Sequence, residues 1–148
     1  MTKPASFCSM ALLYTATILL FAMGAGCSSS PEKSENYSRV TQAIIEQGEA
    51  ALKAYDKEKG METSNIFSAI YFDIFEGSGM EMAIGKKNTK EKVELESYFS
   101  QIIAATIKGA PRSELDAPWQ KLCTRLKEIG ERTLVPPGQK IKLPGKEQ

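Results

Sequence analysis

The sequence predicts an all-α protein, an up-down antiparallel four-helix bundle preceded by a cleaved lipoprotein signal and a tether. Four stretches carry apolar residues at helical spacing, and Gly, Asn, Ser or Pro separates them. The connections between these stretches are short, which favours antiparallel neighbours. The chain has 148 residues, which is long enough for one domain with its own hydrophobic core.

Residues 1–26 have the pattern of a lipoprotein signal peptide. Lys3 precedes an apolar run over residues 11–23, and the small residues of "GAG" then lead to Cys27. The run is too short to cross a bilayer comfortably as a permanent helix. Small residues directly before a cysteine resemble the lipobox of bacterial lipoproteins, which implies acylation of Cys27. The alternative is an ordinary cleaved signal that leaves a free cysteine.

An acylated Cys27 would attach the protein to a membrane, because two or more acyl chains give stable anchoring. Ser28, rather than Asp, follows this cysteine, which resembles the outer-membrane sorting pattern of diderm bacteria. We therefore expect a lipid-anchored protein of the bacterial cell envelope that faces the periplasm, at the outer rather than the inner membrane. Residues 27–36 are predicted to be the acylated cysteine and a flexible tether, because their polar side chains cannot form a core.

The helical bundle domain is predicted over residues 37–134, and its first half contains two helices. The first is expected over residues 37–57 and the second over residues 64–85, with Gly85 as its C-cap. Gly77 and Gly79 fall inside the second helix. They would either allow a close approach of another group or mark a break.

The second half of the domain contains the other two predicted helices. The third opens at Asn88, which resembles a capping box, and runs to Gly109. The fourth follows "APRSELDAP", with Ser113 or Asp116 as its cap and Pro118 close to its start. Residues 135–148 are predicted to be an extended tail.

Composition argues against several classes of function. The 19 Lys and Arg residues nearly balance 18 Asp and Glu residues, so no basic surface for nucleic acid is indicated. The chain contains no His, which removes the commonest general base. Cys8 would be removed with the signal peptide and Cys27 would be acylated, which leaves Cys123 as the one free thiol. Its apolar neighbours predict that this thiol is buried and unreactive. We therefore predict that the protein is not an enzyme.

Two acidic residues fall where apolar residues are expected. On a helical wheel of the second helix, Glu81 lies inside the apolar arc, while Asp73 and Glu76 lie on the opposite half. On the third helix, Glu96 lies at the flank of the apolar arc. A buried carboxylate costs several kcal/mol unless it is paired, hydrogen-bonded or neutralised, so Glu81 and Glu96 are predicted to share a partner.

That partner could be a proton, a lysine, a tyrosine hydroxyl or a metal ion. Lys92 lies one helical turn before Glu96, and hydroxyl groups are offered by Tyr55, Tyr71 and Tyr98. One interpretation is an internal hydrogen-bond network. The other is a metal site in the bundle core, with these candidate ligands: Glu81, Glu96, Glu76 and Asp73. Oxygen ligands without His would suit ferric iron, Mn, Mg or Ca better than Zn or Cu(II).

The same region carries a resemblance to a known family. Residues 69–111 contain "YFDIFE", a following Glu81, "LESYF" and a Gly-Ala-Pro turn. This pattern is similar to the extracytoplasmic N-terminal region of many bacterial high-affinity iron permeases. Its acidic positions correspond to Glu76, Glu81 and Glu96 in this chain.

The resemblance implies a role beside such a permease rather than transport itself. Those permeases continue into transmembrane helices with an Arg-Glu-x-x-Glu motif, and this sequence has neither that motif nor a second apolar span. The expected function is an iron-uptake accessory lipoprotein that binds or presents iron through helix-borne carboxylates. Its expected partners are the lipid membrane, through Cys27, and an iron permease. The alternative is a structural or interaction lipoprotein of the envelope with no metal site.

Overall fold

The structure is a computed structural model that describes residues 34–144. The predicted signal peptide, Cys27 and the last four residues lie outside these described residues. The described part is helical, which confirms the all-α prediction there. Its α-helices are as follows: α1 (Ser38–Lys53), α2 (Gly60–Ala69), α3 (Met80–Lys87), α4 (Thr89–Ile107) and α5 (Arg112–Arg132). A 3₁₀ turn (Lys57–Lys59) precedes α2, and a π-helix (Ile70–Glu76) follows it.

The predicted second helix is divided into three parts, namely α2, the π-helix and α3. The π-helix forms wider turns, as in the hydrogen bond from the Gly77 N–H to the Phe72 carbonyl, 2.9 Å long. Gly79 then adopts a left-handed conformation with φ +79°, which an α-helix cannot continue through. The two glycines therefore mark a break, as one of the two sequence interpretations held.

Other helix ends differ from the prediction by a few residues. Helix α1 stops at Lys53 rather than at residue 57, and the Arg112 guanidinium donates to the Leu52 carbonyl in its last turn. Helix α2 starts at Gly60 rather than at residue 64. Gly60 lies against the backbone of α4, where a side chain would collide with the Thr106 carbonyl.

The start of α4 is confirmed and the start of α5 is corrected. The Asn88 side chain accepts hydrogen bonds from the N–H groups of Lys90 and Glu91, as a capping residue does. Helix α5 begins at Arg112, directly after the extended Pro111, so that neither Ser113 nor Asp116 is its cap. Pro118 consequently lies inside α5 rather than at its start.

The core joins all five helices through buried aliphatic and aromatic side chains. Helix α4 packs against α2, α3 and α5, and α1 packs against α5 and the π-helix. The largest fully buried aromatic side chains are Tyr37, Phe67, Phe75 and Phe99. Among the described residues, no helix combines the length and the apolar character needed to cross a membrane.

Helices α1 and α5 approach each other closely at two glycines. Gly48 lies against the ring of Trp119, and Gly130 lies against the hydroxyl of Thr41. A Cβ at either glycine would overlap these side chains. The Thr41 hydroxyl also donates to the Leu126 carbonyl over 3.1 Å, so that it is satisfied although it is buried.

The described part of the predicted tail, residues 135–144, has neither a helix nor a named strand. It nevertheless lies against the domain, because Val135, Ile141 and Leu143 pack on the core with part of their surface buried. Directly before it, Leu134 forms an isolated antiparallel bridge with Asn36. The start of the described chain therefore meets the start of the tail.

Candidate functional site around Lys92

The two carboxylates that the sequence singles out meet at one lysine. The Lys92 ammonium nitrogen lies 2.5 Å from Glu81 Oε1 and 3.4 Å from Glu96 Oε1. The Tyr71 hydroxyl donates to the same Glu96 oxygen over 3.3 Å. The prediction that Glu81 and Glu96 share a partner is therefore confirmed: the shared partner is Lys92, and Tyr71 is a second partner of Glu96. We call these four residues the Lys92 cluster.

The backbone around the Lys92 cluster makes room for the lysine. Glu81 lies in the first turn of α3, and Lys92 and Glu96 lie one turn apart on α4. Gly85 of α3 faces the stem of Lys92, because a Cβ at Gly85 would lie 2.9 Å from Lys92 Cδ. Gly85 is not the C-cap that the sequence predicted, since α3 continues to Lys87.

The π-helix presents Tyr71 to the cluster through aromatic packing. The Tyr71 ring lies edge-on to Phe99, with a centroid distance of 5.4 Å, and at 5.9 Å from Phe75. Phe75 and Phe99 are themselves 5.5 Å apart and fully buried. Tyr71, Phe75 and Phe99 therefore pack together as one unit beside Glu96.

Electrostatics keep the tyrosine neutral and the lysine charged. Burial, followed by the negative charges of Glu96 and Glu81, raises the pKa of Tyr71 to about 12. The hydrogen bond to Glu81 is the main cause that raises the pKa of Lys92 above its ordinary value. At neutral pH the Tyr71 hydroxyl is thus a donor and the Lys92 ammonium is a cation.

The Lys92 cluster lies at the boundary of the core rather than in its centre. The side chains of Glu81, Glu96 and Lys92 are 16%, 28% and 32% exposed. The helical wheel placed Glu81 in the apolar arc because it assumed one regular helix. The π-helix and the left-handed Gly79 change the angle between successive side chains, so a continuous wheel does not apply to Glu81.

The other two predicted metal ligands do not join the cluster. Asp73 and Glu76 are both exposed on the π-helix, and Glu76 acts on Tyr71 only through its charge. Within residues 34–144, no group of three or more His, Cys, Asp or Glu side chains is arranged to hold a metal ion. The predicted four-carboxylate arrangement is therefore not formed in this structure, and the Lys92 ammonium lies between the two carboxylates that converge.

A further group of charges joins α4 to α5 and was not predicted. The Arg125 guanidinium donates to Glu94 Oε2 over 3.2 Å and pairs with Glu128, while Arg132 pairs with Glu91 over 2.5 Å. The pairs with Glu94 and Glu91 link α4 to α5 at their surface, whereas Glu128 lies on α5 itself. The spacing of Glu91 and Glu94 along α4 gives no signal of these contacts, because their partners lie on another helix.

The contact made by Gln139 of the tail was also not predicted from the sequence. Its side-chain amide contacts the junction between the π-helix and α3, directly before Glu81. Residues 139 and 78 are far apart in the sequence, and no periodicity links them.

Comparisons of the chain with protein-family models, with curated proteins and with solved structures found no match.

Proposed function

We propose that this protein is an iron-uptake accessory lipoprotein of the bacterial envelope, anchored through Cys27. In this proposal it binds ferric iron as cargo at the Lys92 cluster and presents it to a membrane permease. The observation that supports it is the convergence of Glu81 and Glu96, from two helices, on one positive charge. The proposed architecture is an up-down bundle in which α2, the π-helix and α3 together form the second arm.

The chemistry of the donors suits a hard cation. Glu81, Glu96 and Tyr71 offer carboxylate and hydroxyl oxygens, the ligand type that ferric iron, Mn and Mg prefer over soft donors. The Lys92 side chain is one-third exposed, so that it can turn into solvent and give up its place. Iron would accordingly compete with the Lys92 ammonium. Asp73 and Glu76 are not included as ligands in this proposal, because both lie outside the cluster.

The resemblance to the permease region adds a second line of support. Tyr71, Phe75, Glu96 and Phe99 all belong to the quoted pattern, and all are neighbours in space. The role beside an iron permease is proposed from the resemblance, and the Lys92 cluster is proposed as the iron site because its two carboxylates converge.

A second candidate function is an interaction lipoprotein without a metal. The observation that favours it is that Lys92 already lies between the two carboxylates and balances their charge. Among the described residues, no buried polar side-chain atom lacks a hydrogen-bond partner. Exposed apolar side chains lie on the neighbouring helices, among them Ile66, Phe72 and Met82. A protein partner could cover such side chains.

One titration separates the two functions. Ferric citrate is added near neutral pH to the wild type, Glu81→Gln and Lys92→Met, and thermal unfolding is followed against citrate alone. A ligand that binds only the folded state raises its stability, by about 2.7 kcal/mol at a hundred-fold excess over Kd. Iron binding predicts a shift in the wild type, a larger shift in Lys92→Met and a loss in Glu81→Gln.

The control for this titration is Glu62→Gln, which removes an exposed carboxylate from the first turn of α2. It should respond to iron as the wild type does. An iron-dependent shift in none of the proteins would exclude the iron function and favour the interaction lipoprotein. In that case, Glu81→Gln and Lys92→Met would alter only the stability without iron.

The anchoring is tested separately by fractionation. Cys27→Ser removes the acylation site and should move the mature protein from the membrane fraction to the soluble fraction. Cys123→Ser is the matched control, because it removes a thiol that lies within the helical domain, and it should stay with the membrane. An equal membrane fraction for Cys27→Ser and the wild type would contradict the anchor.

A further inference from the structure

Helix α3 is too short to be stable by itself and depends on contacts with the rest of the domain. It has eight residues and is bounded by the left-handed Gly79 and the extended Asn88. A helix of about this length is unstable in isolation. One face is fastened by the buried Met80, Ala83 and Ile84. Glu81 lies in its first turn, directly after the junction of Ser78 and Gly79, so contacts at that junction also bear on the position of Glu81.

The side chain of Gln139 fixes that junction. Its Nε2 donates to the Ser78 carbonyl over 3.0 Å and to the Tyr37 hydroxyl over 3.2 Å. The Tyr37 hydroxyl in turn donates to the Gly79 carbonyl over 3.3 Å. A Cβ at Gly79 would collide with the Gln139 amide, so the glycine is needed for both the backbone conformation and the approach of Gln139.

The tail around Gln139 is attached on both sides. Before it, the Val135 N–H donates to the Glu35 carbonyl over 2.8 Å. At Gln139 itself, a turn closes through a hydrogen bond to the Pro136 carbonyl over 3.0 Å. After it, Ile141 and Leu143 pack on the core. Gln139 is thus the polar centre of a segment that apolar contacts hold in place.

We propose that residues 135–144 are a strap that, through Gln139, holds α3 in the position where Glu81 meets Lys92. Gln139 is a positioning residue, because it touches the junction and not the cluster. When the strap is released, α3 opens as a unit about Gly79 and Asn88 while α4 and α5 stay folded. This inference does not depend on iron binding, and a negative iron titration leaves it intact.

Hydrogen exchange of the full chain tests the strap. Gln139→Met keeps the length of the side chain and removes its amide, and Lys140→Met changes an exposed neighbour as the control. Because two hydrogen bonds are lost, amides of residues 80–87 should exchange roughly ten-fold faster or more in Gln139→Met. Exchange in α4 and α5 should not change, and Lys140→Met should match the wild type. Unchanged exchange in α3, or an equal increase in all helices, would overturn the proposal.

The combination with Gly79→Ala gives a second readout. The added Cβ displaces the Gln139 amide, so Gly79→Ala alone should already release α3. Adding Gln139→Met to Gly79→Ala should then speed α3 exchange no further, since the contact is already lost. If the two substitutions act additively on α3, Gln139 does not act through this junction and the strap is excluded.

Discussion

Lys92 of α4 makes a 2.5 Å ion pair with Glu81 of α3, and it reaches that residue past Gly85. The same ammonium is 3.4 Å from Glu96 on its own helix. One cation is therefore shared by two carboxylates, and the less exposed of them, Glu81, has the shorter contact. Loss of the lysine would leave two negative charges close together at the edge of the core.

The pair predicts non-additive effects on stability. Lys92→Met should lower the melting temperature at neutral pH and low salt, because Glu81 loses its counter-ion. In Lys92→Met combined with Glu81→Gln, part of that loss should be recovered, since no unpaired charge remains at Glu81. Thermal unfolding of the four proteins in this cycle measures the coupling. Lys90→Met removes an exposed lysine of α4 as a control, and additive effects in the cycle would contradict the pair.

Tyr71 predicts how stability depends on alkaline pH. Its pKa is raised from 10.0 to about 12 in the folded protein, so the folded state keeps a proton that the unfolded state loses. This contribution is fully present below pH 10 and is lost as the pH rises from 10 towards 12. The raised pKa of Lys92 acts in the same direction.

The measurement is the free energy of unfolding between pH 9 and pH 12, together with the ultraviolet absorbance of tyrosinate. Tyr71→Phe should make the alkaline loss shallower and remove the last tyrosine to ionise. Tyr98→Phe is the comparison, because Tyr98 also has a raised pKa and hydrogen-bonds Glu94 outside the cluster. A pH profile that Tyr71→Phe leaves unchanged would argue against the described environment of this hydroxyl.

Helix boundaries were predictable where the signal is local. Asn88 caps α4 through its own side chain, which accepts from the N–H groups of Lys90 and Glu91. All three residues are close in sequence, so the cap can be recognised from the sequence. The π-helix has no such signal, because Tyr71 and Phe75 are placed by Phe99 on another helix. The wheel therefore continued a regular helix through Gly79, where the chain in fact breaks.

The candidate site was predictable in part of its residues but not in its partner. The helical wheels singled out Glu81 and Glu96, although for Glu81 the wheel assumed one regular helix that the chain does not form, and the other two candidate ligands, Asp73 and Glu76, lie outside the cluster. The choice between a lysine, a tyrosine and a metal depends on distances across helices α3 and α4 and the π-helix. Those distances follow from the break at Gly79 and the space at Gly85, neither of which a periodic pattern encodes.

The contact at Gly48 predicts that Gly48→Ala destabilises the protein, although alanine has the higher helix propensity. In an exposed helix, Gly→Ala stabilises by about 1 kcal/mol. In α1, the new methyl group would overlap the Trp119 ring, which is buried and packs edge-on against Phe67 at 5.7 Å. We expect Gly48→Ala to lower the free energy of unfolding by about 1–3 kcal/mol, as overpacking does.

Chemical denaturation measures this loss, with Glu49→Ala as a control on the exposed side of α1. If the collision is the cause, Trp119→Phe should cost less in the Gly48→Ala background than in the wild type, because the smaller ring leaves space for the methyl group. A Gly48→Ala protein as stable as the wild type would show that α1 and α5 are not in this close contact.

The environment of Cys123 predicts that its thiol reacts slowly with alkylating and disulfide reagents in the folded protein. Burial, and then the charge of Glu49, raises its pKa from 9.0 to about 11, and only the thiolate reacts with alkylating or disulfide reagents. At mildly alkaline pH, the thiolate fraction in the folded protein should be roughly a hundred-fold lower than in the unfolded chain.

A protein with Cys8→Ser and Cys27→Ser isolates this thiol, and its modification is followed with and without denaturant. Glu49→Gln removes the neighbouring negative charge and should speed the folded-state reaction, whereas Glu46→Gln, on the same helix, should not. Equal rates in the folded and unfolded states would place Cys123 in open solvent, contrary to its packing against the core.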